Sequence, residues 1–183
     1  MIIPQFLDYF LVKEINRLMG ESTPSAFFEE IHGPLHSKGL LYTHNKQLNF
    51  IQNFLMNEIS ILEFFRKITA HDQMKSISTY IYKTDETARH ALTWHQDLVD
   101  QRLFVISINL SMTAFEEGQF ALRNVQSGEE LLRLSNIGIG DLIVAQIGTD
   151  FEHCTTKVAG SNPRFTLAGW GLGYSSFEPK KFI

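Results

Sequence analysis

An α+β chain, with amino-terminal helices packed on one side of a two-sheet jelly roll or barrel, is the architecture this sequence predicts. Three observations predict it. Apolar residues recur at helical spacing through the first third. From about Lys75 onward, eight short strand-like runs alternate with turn signals. Two of those runs carry one greasy and one polar face.

Asp8 is a candidate cap for a first helix whose apolar positions are Leu11, Ile15, Leu18 and Met19, with Gly20 as its stop. Glu21 to Asn45 reads as loop, because Pro24, Gly33, Pro34 and Gly39 punctuate it. Leu48, Ile51, Leu55, Ile59, Leu62 and Phe65 then mark one face of a single long helix that ends before His71 and Asp72. The aromatic stripe Phe50, Phe54, Phe64 and Phe65 reads as core.

The expected strands are 76–83, 92–97, 102–111, 118–125, 131–135, 141–147, 151–156 and 164–171. Turn signals separate them at Glu117-Gly118, Ser127-Gly128, Gly138 and Gly140-Asp141, Gly148, and Gly160 to Pro163. Gly138-Ile139-Gly140 lacks the following helix of a phosphate loop and reads as a turn. Within 102–111, Phe104, Ile106, Ile108 and Leu110 share one face, while Ser107, Asn109 and Ser111 share the other. In 164–170, Phe165 and Leu167 alternate with Arg164, Thr166 and Ala168. If the greasy faces meet the helices, the polar faces line the barrel. A polar interior is costly unless its groups are satisfied, so the pattern points to a site.

The expectation is one domain over 1–183, with 1–74 as helical support and 75–175 as the β core. Mean hydropathy of -0.08 is that of an ordinary soluble protein. No apolar run approaches the roughly 18 to 20 residues of a membrane helix, and the first residues lack a secretory signal's basic region and cleavage site. Cys154 is the single cysteine, so no internal disulfide forms, which fits a cytoplasmic setting. A net charge of -4 with scattered Lys and Arg argues against nucleic acid as a partner.

His95-Gln96-Asp97 places two ligand-type side chains at i and i+2, so on a strand they project the same way. Alone, such a pair is weak. His153 lies on a later strand, and Arg164-Phe165-Thr166 follows it, again with two polar groups facing together. The ordered set is far more specific. Two imidazoles and a carboxylate on one face of octahedral iron(II) leave three adjacent positions open. A 2-oxo acid chelates through two of these and dioxygen takes the third. The far carboxylate of that acid needs a planar cationic fork, which Arg supplies and Lys does not. A hydroxyl two residues on can donate to the same carboxylate.

This set resembles the 2-oxoglutarate/iron(II) dioxygenase superfamily with a double-stranded β-helix core, in its prolyl-4-hydroxylase-like branch. The resemblance covers about residues 76–172, with a looser echo in Ile2 to Leu7, similar to that branch's opening strand. It implies that His95, Asp97 and His153 hold Fe(2+), with 2-oxoglutarate as co-substrate and O2 as oxidant. It implies further that Arg164 and Thr166 bind 2-oxoglutarate, that the family's tyrosine upstream of H-x-D falls on Tyr82, and that Asn109 stands where some relatives have tyrosine. Trp170 matches an aromatic residue that often ends the last strand. At Glu117-Gly118 the family usually shows two glycines; here the first is Glu117, which bears on the shape of that turn. Halogenating relatives replace the acidic ligand with a small residue. Asp97 is present, so hydroxylation or another oxidation is expected over halogenation, coupled to decarboxylation of 2-oxoglutarate to succinate and carbon dioxide.

Arg123 is a candidate for holding an anionic substrate group, with Trp170 beside it as a possible substrate contact. His32, His36, His44, His71 and His90 read as surface, and Cys154 as a small packed hydrophobe. The preferred substrate is a small metabolite such as an amino acid or natural-product intermediate, acted on at an unactivated C–H bond. A peptidyl hydroxylase shares the chemistry. A non-catalytic cupin-like binding protein would use the same barrel, and a zinc hydrolase would suit the same ligands but leave Arg164 and Thr166 unexplained. The oligomeric state stays open.

Overall fold

The computed structural model describes residues 1–31, 35–42, 45–86, 92–98, 101–135 and 138–174, with the backbone alone described at 25–31, 35–39 and 92–93. Helix α1 (Tyr9–Gly20) starts where Asp8 predicts: the Asp8 carboxylate accepts from the Leu11 N–H at 3.0 Å, filling one of the helix's unpaired donors. Its buried face is Val12, Ile15, Leu18 and Met19.

The expected long second helix is broken in two. Helix α2 (Lys46–Asn53) gives way to a 3-10 turn (Leu55–Asn57) before α3 (Ile59–Thr69). The reason is local. Asn57 donates to the Ile77 carbonyl at 2.8 Å and accepts from the Ile77 N–H at 2.8 Å. Such side-chain bonds compete with helix continuation. Glu58 then caps α3 by accepting from the Ser60 N–H. The break rotates α2, so Leu48 and Gln52 are its buried residues while Phe50 and Phe54 stack on each other, about half exposed. Of the aromatic stripe, only Phe65 is fully buried, with Phe64 packed against the core.

The strands are β1 (Ile2–Ile3), β2 (Ser25–Ile31), β3 (Leu35–Leu41), β4 (Ser76–Thr84), β5 (Leu92–His95), β6 (Arg102–Asn109), β7 (Glu116–Glu117), β8 (Phe120–Asn124), β9 (Glu130–Leu134), β10 (Leu142–Gln146), β11 (Phe151–Thr155), β12 (Val158–Ala159) and β13 (Arg164–Leu172). All eight expected strands form. The correction lies upstream: residues 25–41, expected as loop, pair as the antiparallel hairpin β2–β3, which joins β4 through Leu40 and Leu41. Side-chain alternation there is too irregular to advertise strands, and the backbone pairing supplies the order.

One sheet has seven strands in the order β1-β10-β6-β13-β4-β3-β2; a second has four, β5-β11-β8-β9; β12 and β7 form a small ribbon. Every described pairing is antiparallel. The helices cover one face of the large sheet. There Val12, Ile15, Leu18, Leu48 and Phe65 meet Ile77, Ile81, Phe104, Ile106, Ile108, Leu142 and Leu167 in one core. Residues of the opposite parity, Val105 and Ile143, pack with Phe120 of the small sheet. The greasy face therefore meets the helices, and the polar face looks toward the second sheet. Gln52 ties α2 down: it donates to the Tyr42 carbonyl and its own carbonyl accepts from Thr79. No described helix is long and apolar enough to cross a membrane.

The turn at Glu117-Gly118 keeps a two-glycine shape without the first glycine. Glu117 has φ 59° and Gly118 φ 64°. A Cβ on Gly118 would lie 3.0 Å from Arg164 Cδ and 3.1 Å from Val158 Cγ2, so the backbone hugs the arginine stem. A left-handed non-glycine residue costs roughly 1–2 kcal/mol. Glu117→Gly is therefore expected to raise the unfolding free energy by up to about 1 kcal/mol, once the glycine's greater freedom in the unfolded chain is subtracted. Gly118→Ala is expected to lower it by more than about 1 kcal/mol. Urea denaturation of both variants checks the pair of signs.

Candidate metal centre

His95 ends β5 and His153 sits mid-β11, and the antiparallel register makes them direct partners. Partners across a strand pair stand on the same face within reach of each other; here the ring centroids are 4.2 Å apart. Asp97 follows two residues after His95 and turns the same way. Its Oδ2 lies 3.4 Å from His153 Nε2, and its Oδ1 lies 4.0 Å from His95 Nε2. One donor atom from each of the three residues falls within 4.8 Å of the others. Phe120 stacks on the His153 ring at 5.5 Å. The three are largely buried, with side-chain exposures of 10%, 9% and 8% for His95, Asp97 and His153. Two imidazoles and a carboxylate converging with sides left open suit a divalent metal of the iron(II) kind.

Both carboxylate oxygens of Asp97 also accept from neighbours. Arg102 Nη1 donates to Oδ1 at 2.9 Å, and Trp170 Nε1 donates to Oδ2 at 2.6 Å. The guanidinium of Arg102 lies flat over the Trp170 ring, 3.7 Å from its centroid. Burial opposes the Asp97 charge, but hydrogen bonds from His153 and Trp170, with the charges of His153 and His95, outweigh it and hold the carboxyl at about 2.

Strand β13 carries the second half of the site on the same inner face as Trp170. Thr166 pairs with Tyr82 on one side and Asn109 on the other, forming a row across β4, β13 and β6. Arg164 is 5% exposed and donates to Ser107 Oγ at 3.3 Å. Among the described residues no carboxylate pairs with it, and the buried Arg164 Nε and Thr166 Oγ1 have no hydrogen-bond partner. Burial alone pulls the Arg164 pKa down to about 10. A buried cation with no acid beside it among the described residues, next to a buried hydroxyl with no partner, is a strong mark of an anion site.

The structure thus gathers His95, Asp97, His153, Arg164, Thr166 and Tyr82 on the facing surfaces of the two sheets. Three expectations change. Arg123 pairs with Glu152, one position from His153, so it projects from the opposite face of the small sheet. There it donates to Glu152 at 2.8 Å and stacks over Trp94, out of reach of a substrate at the metal. Asn109 has its amide committed to backbone: it donates to Gly138 O at 3.0 Å and accepts from the Ser111 N–H at 3.0 Å, bracing the turn into β10. Trp170 holds Asp97, where a substrate contact was expected.

Ser107 and Arg102 enter as residues the sequence did not assign. Ser107 was visible on the polar face, without a role. Arg102 shares parity with Phe104 and Ile106 and should face the helices. An irregularity in the β6–β13 register, between Gly171 and Leu172, sets Arg102 opposite Leu172 and turns it inward. His71 lies against Phe104. His32, His44 and His90 lie outside the described residues, and of His36 only the backbone is described. Cys154 is buried, and burial raises its thiol pKa.

The sequence matches no family model, and it matches no curated protein. Solved structures do share the fold. A 2OG-Fe(II) oxygenase family oxidoreductase from Burkholderia pseudomallei superposes with TM-score 0.73 at 14% identity, covering 96% of this chain and 85% of that one. A prolyl-4-hydroxylase from Pseudomonas putida gives 0.63 at 16%, covering 96% and 92%. A prolyl hydroxylase from Trichoplax adhaerens, in complex with a hypoxia inducible factor oxygen degradation domain peptide fragment, gives 0.69 at 12%, covering 94% and 83%. At these identities the likeness is one of fold.

Two outcomes follow from the electrostatics. Replacing Arg164 by Met removes a desolvated charge with no acid beside it among the described residues, so the ligand-free protein is expected to gain roughly 1–3 kcal/mol in thermal or urea unfolding; a loss of stability would contradict this account. The folded Asp97 value of about 2 lies below its ordinary 3.8, so its ionised form contributes stability that is present above 3.8 and lost as pH falls toward 2. The stability gap between wild type and Asp97→Asn, measured on metal-free protein, is therefore expected to narrow from about pH 5 to about pH 3.

Proposed function

We propose that this chain is an iron(II)- and 2-oxoglutarate-dependent oxygenase that hydroxylates an unactivated C–H bond of a small metabolite. In this reading the seven- and four-stranded sheets are the two walls of a double-stranded β-helix, and the chain is one domain. The observation that carries it is the buried Arg164, with no acid beside it among the described residues and Thr166 unsatisfied on the same strand face. A metal triad alone suits several chemistries. The added demand for a buried anion suits a dicarboxylate co-substrate.

The residues fit these groups. His95, His153 and Asp97 would hold the metal through the two imidazole nitrogens and the carboxylate. Arg164 would take the far carboxylate of 2-oxoglutarate on its planar fork, with Thr166 donating its hydroxyl beside it. Tyr82 stands opposite Thr166 in the same row. When bound, iron(II) with 2-oxoglutarate and dioxygen supplies an oxidation in which one oxygen atom enters the C–H bond and the other enters succinate, with release of carbon dioxide.

The protein's own contribution is orientation and exclusion of water. Val105, Phe120 and Ile143 form an apolar cluster between the sheets, and the walls bury the ligand set. On β4, Tyr80 pairs with Ala168 and is 37% exposed, and Leu98, next to Asp97 in the chain, is 48% exposed. Tyr80 meets Trp170 edge-on at 6.3 Å. A peptidyl substrate is the second reading, favoured by the fold shared with two prolyl hydroxylases, one of them solved with a peptide.

Anaerobic iron(II)-loaded protein is expected to develop a weak visible charge-transfer band on adding 2-oxoglutarate. Asp97→Ala and Arg164→Ala should each abolish it. On admitting oxygen, succinate release stimulated by free amino acids or related metabolites supports the first substrate class, and stimulation only by prolyl peptides supports the second. No band, and no succinate with either panel, would refute the oxygenase reading.

A further inference from the structure

Asp97 is gripped by side chains from two other strands. Each of its oxygens accepts one charged or polar N–H: Oδ1 from Arg102 at 2.9 Å and Oδ2 from Trp170 at 2.6 Å. These two donors come from different strands, β6 and β13, and they are themselves locked together by the guanidinium lying 3.7 Å from the indole centroid. A carboxylate accepts about four hydrogen bonds. With Arg102 on one oxygen, Trp170 on the other and His153 Nε2 3.4 Å from Oδ2, its plane and rotation are fixed while room remains for a further partner.

The two donors are placed with unusual care. Arg102 points inward only through the register irregularity at Gly171 and Leu172. Trp170 is carried on a stretch where β13 runs very close to β4: a Cβ on Gly169 would fall 2.0 Å from Ser78 O. The strand that bears Trp170 is thereby pressed against its neighbour, and the indole N–H reaches Asp97 from it. Arg102 is 17% exposed and Asp97 9% in their side chains, so the pair is screened from water on most sides.

We infer that Arg102 and Trp170 form a positioning clamp that fixes the Asp97 carboxylate for metal ligation. Their contact is with Asp97, and they would act on a bound metal through it. The inference rests on the reading of His95, Asp97 and His153 as a metal site. Trp170 supplies direction through a neutral donor, and Arg102 supplies direction with a charge that offsets the ligand's own. Outer partners of this kind commonly govern metal affinity by ten- to hundredfold. The clamp also accounts for a site whose ligand atoms stand together in the protein alone.

The test measures cobalt(II), as the probe ion, binding to the full chain by calorimetry and by the visible absorption of the bound ion. Trp170→Phe keeps an aromatic ring beneath Arg102 and removes the donor. Its cobalt(II) dissociation constant is expected to rise roughly ten- to hundredfold, with a displaced visible band. Arg102→Lys retains the charge but loses the flat fork, and is expected to give a smaller rise; Arg102→Leu gives the full one. Unfolding of each metal-free variant is followed in parallel. Unchanged cobalt(II) affinity and spectrum in Trp170→Phe and Arg102→Leu, whatever their metal-free stability, would overturn the clamp and leave the metal site standing. Absence of cobalt(II) binding by the wild-type protein would overturn the metal site and the clamp with it.

Discussion

Strand register is the constraint on which the site depends. His95 and His153 meet because β5 and β11 pair with those two residues opposite each other. Thr166 stands between Tyr82 and Asn109 because β13 pairs with β4 and β6 in one alignment. Side chains alternate across a sheet, so a slip of one residue would turn every ligand out of the cavity and every core residue into it. The helix-facing residues enforce the alignment. Ile77, Ile106, Ile108 and Leu167 are all buried in one core with residues of α1, α2 and α3, and this shared burial makes any other register expensive.

That division of labour leaves the inner face free to be polar. The main core lies between the helices and the large sheet and needs little from the other side. The inner face can therefore carry Arg164 with its charge largely stripped of water and, among the described residues, Ser107 as its one hydrogen-bond partner. A buried guanidinium in that state is unfavourable for folding and favourable for binding an anion, because much of the desolvation is complete before the ligand arrives. Asp97 is the reverse case. Its charge is shared by donors from three directions, and it sits ready as a ligand in the protein alone.

Several elements were hidden from the sequence for physical reasons. Glu117 occupies a left-handed position that composition assigns to glycine; the ribbon of β7 with β12 holds it there. The β2–β3 hairpin carries proline and glycine near its ends, and its order comes from pairing with β4. Asn57 interrupts an apolar period that looks continuous, because its side chain is claimed by Ile77 on a distant strand. In each case a long-range partner overrides a local preference, and a single sequence does not reveal which partner is present.

By itself the sequence determined the alternation that separates core from cavity, the eight principal strands, the Asp8 cap, and the spacing of His95, Asp97, His153, Arg164 and Thr166. Those features are periodic or local, so the chain's own geometry dictates them. Only the tertiary structure decided that Arg123 faces outward beside Glu152, that Asn109 braces a turn, and that Arg102 turns inward to grip Asp97 with Trp170. Orientation at those positions depends on register shifts and on which strand lies alongside, and both are set by contacts between residues far apart in the chain.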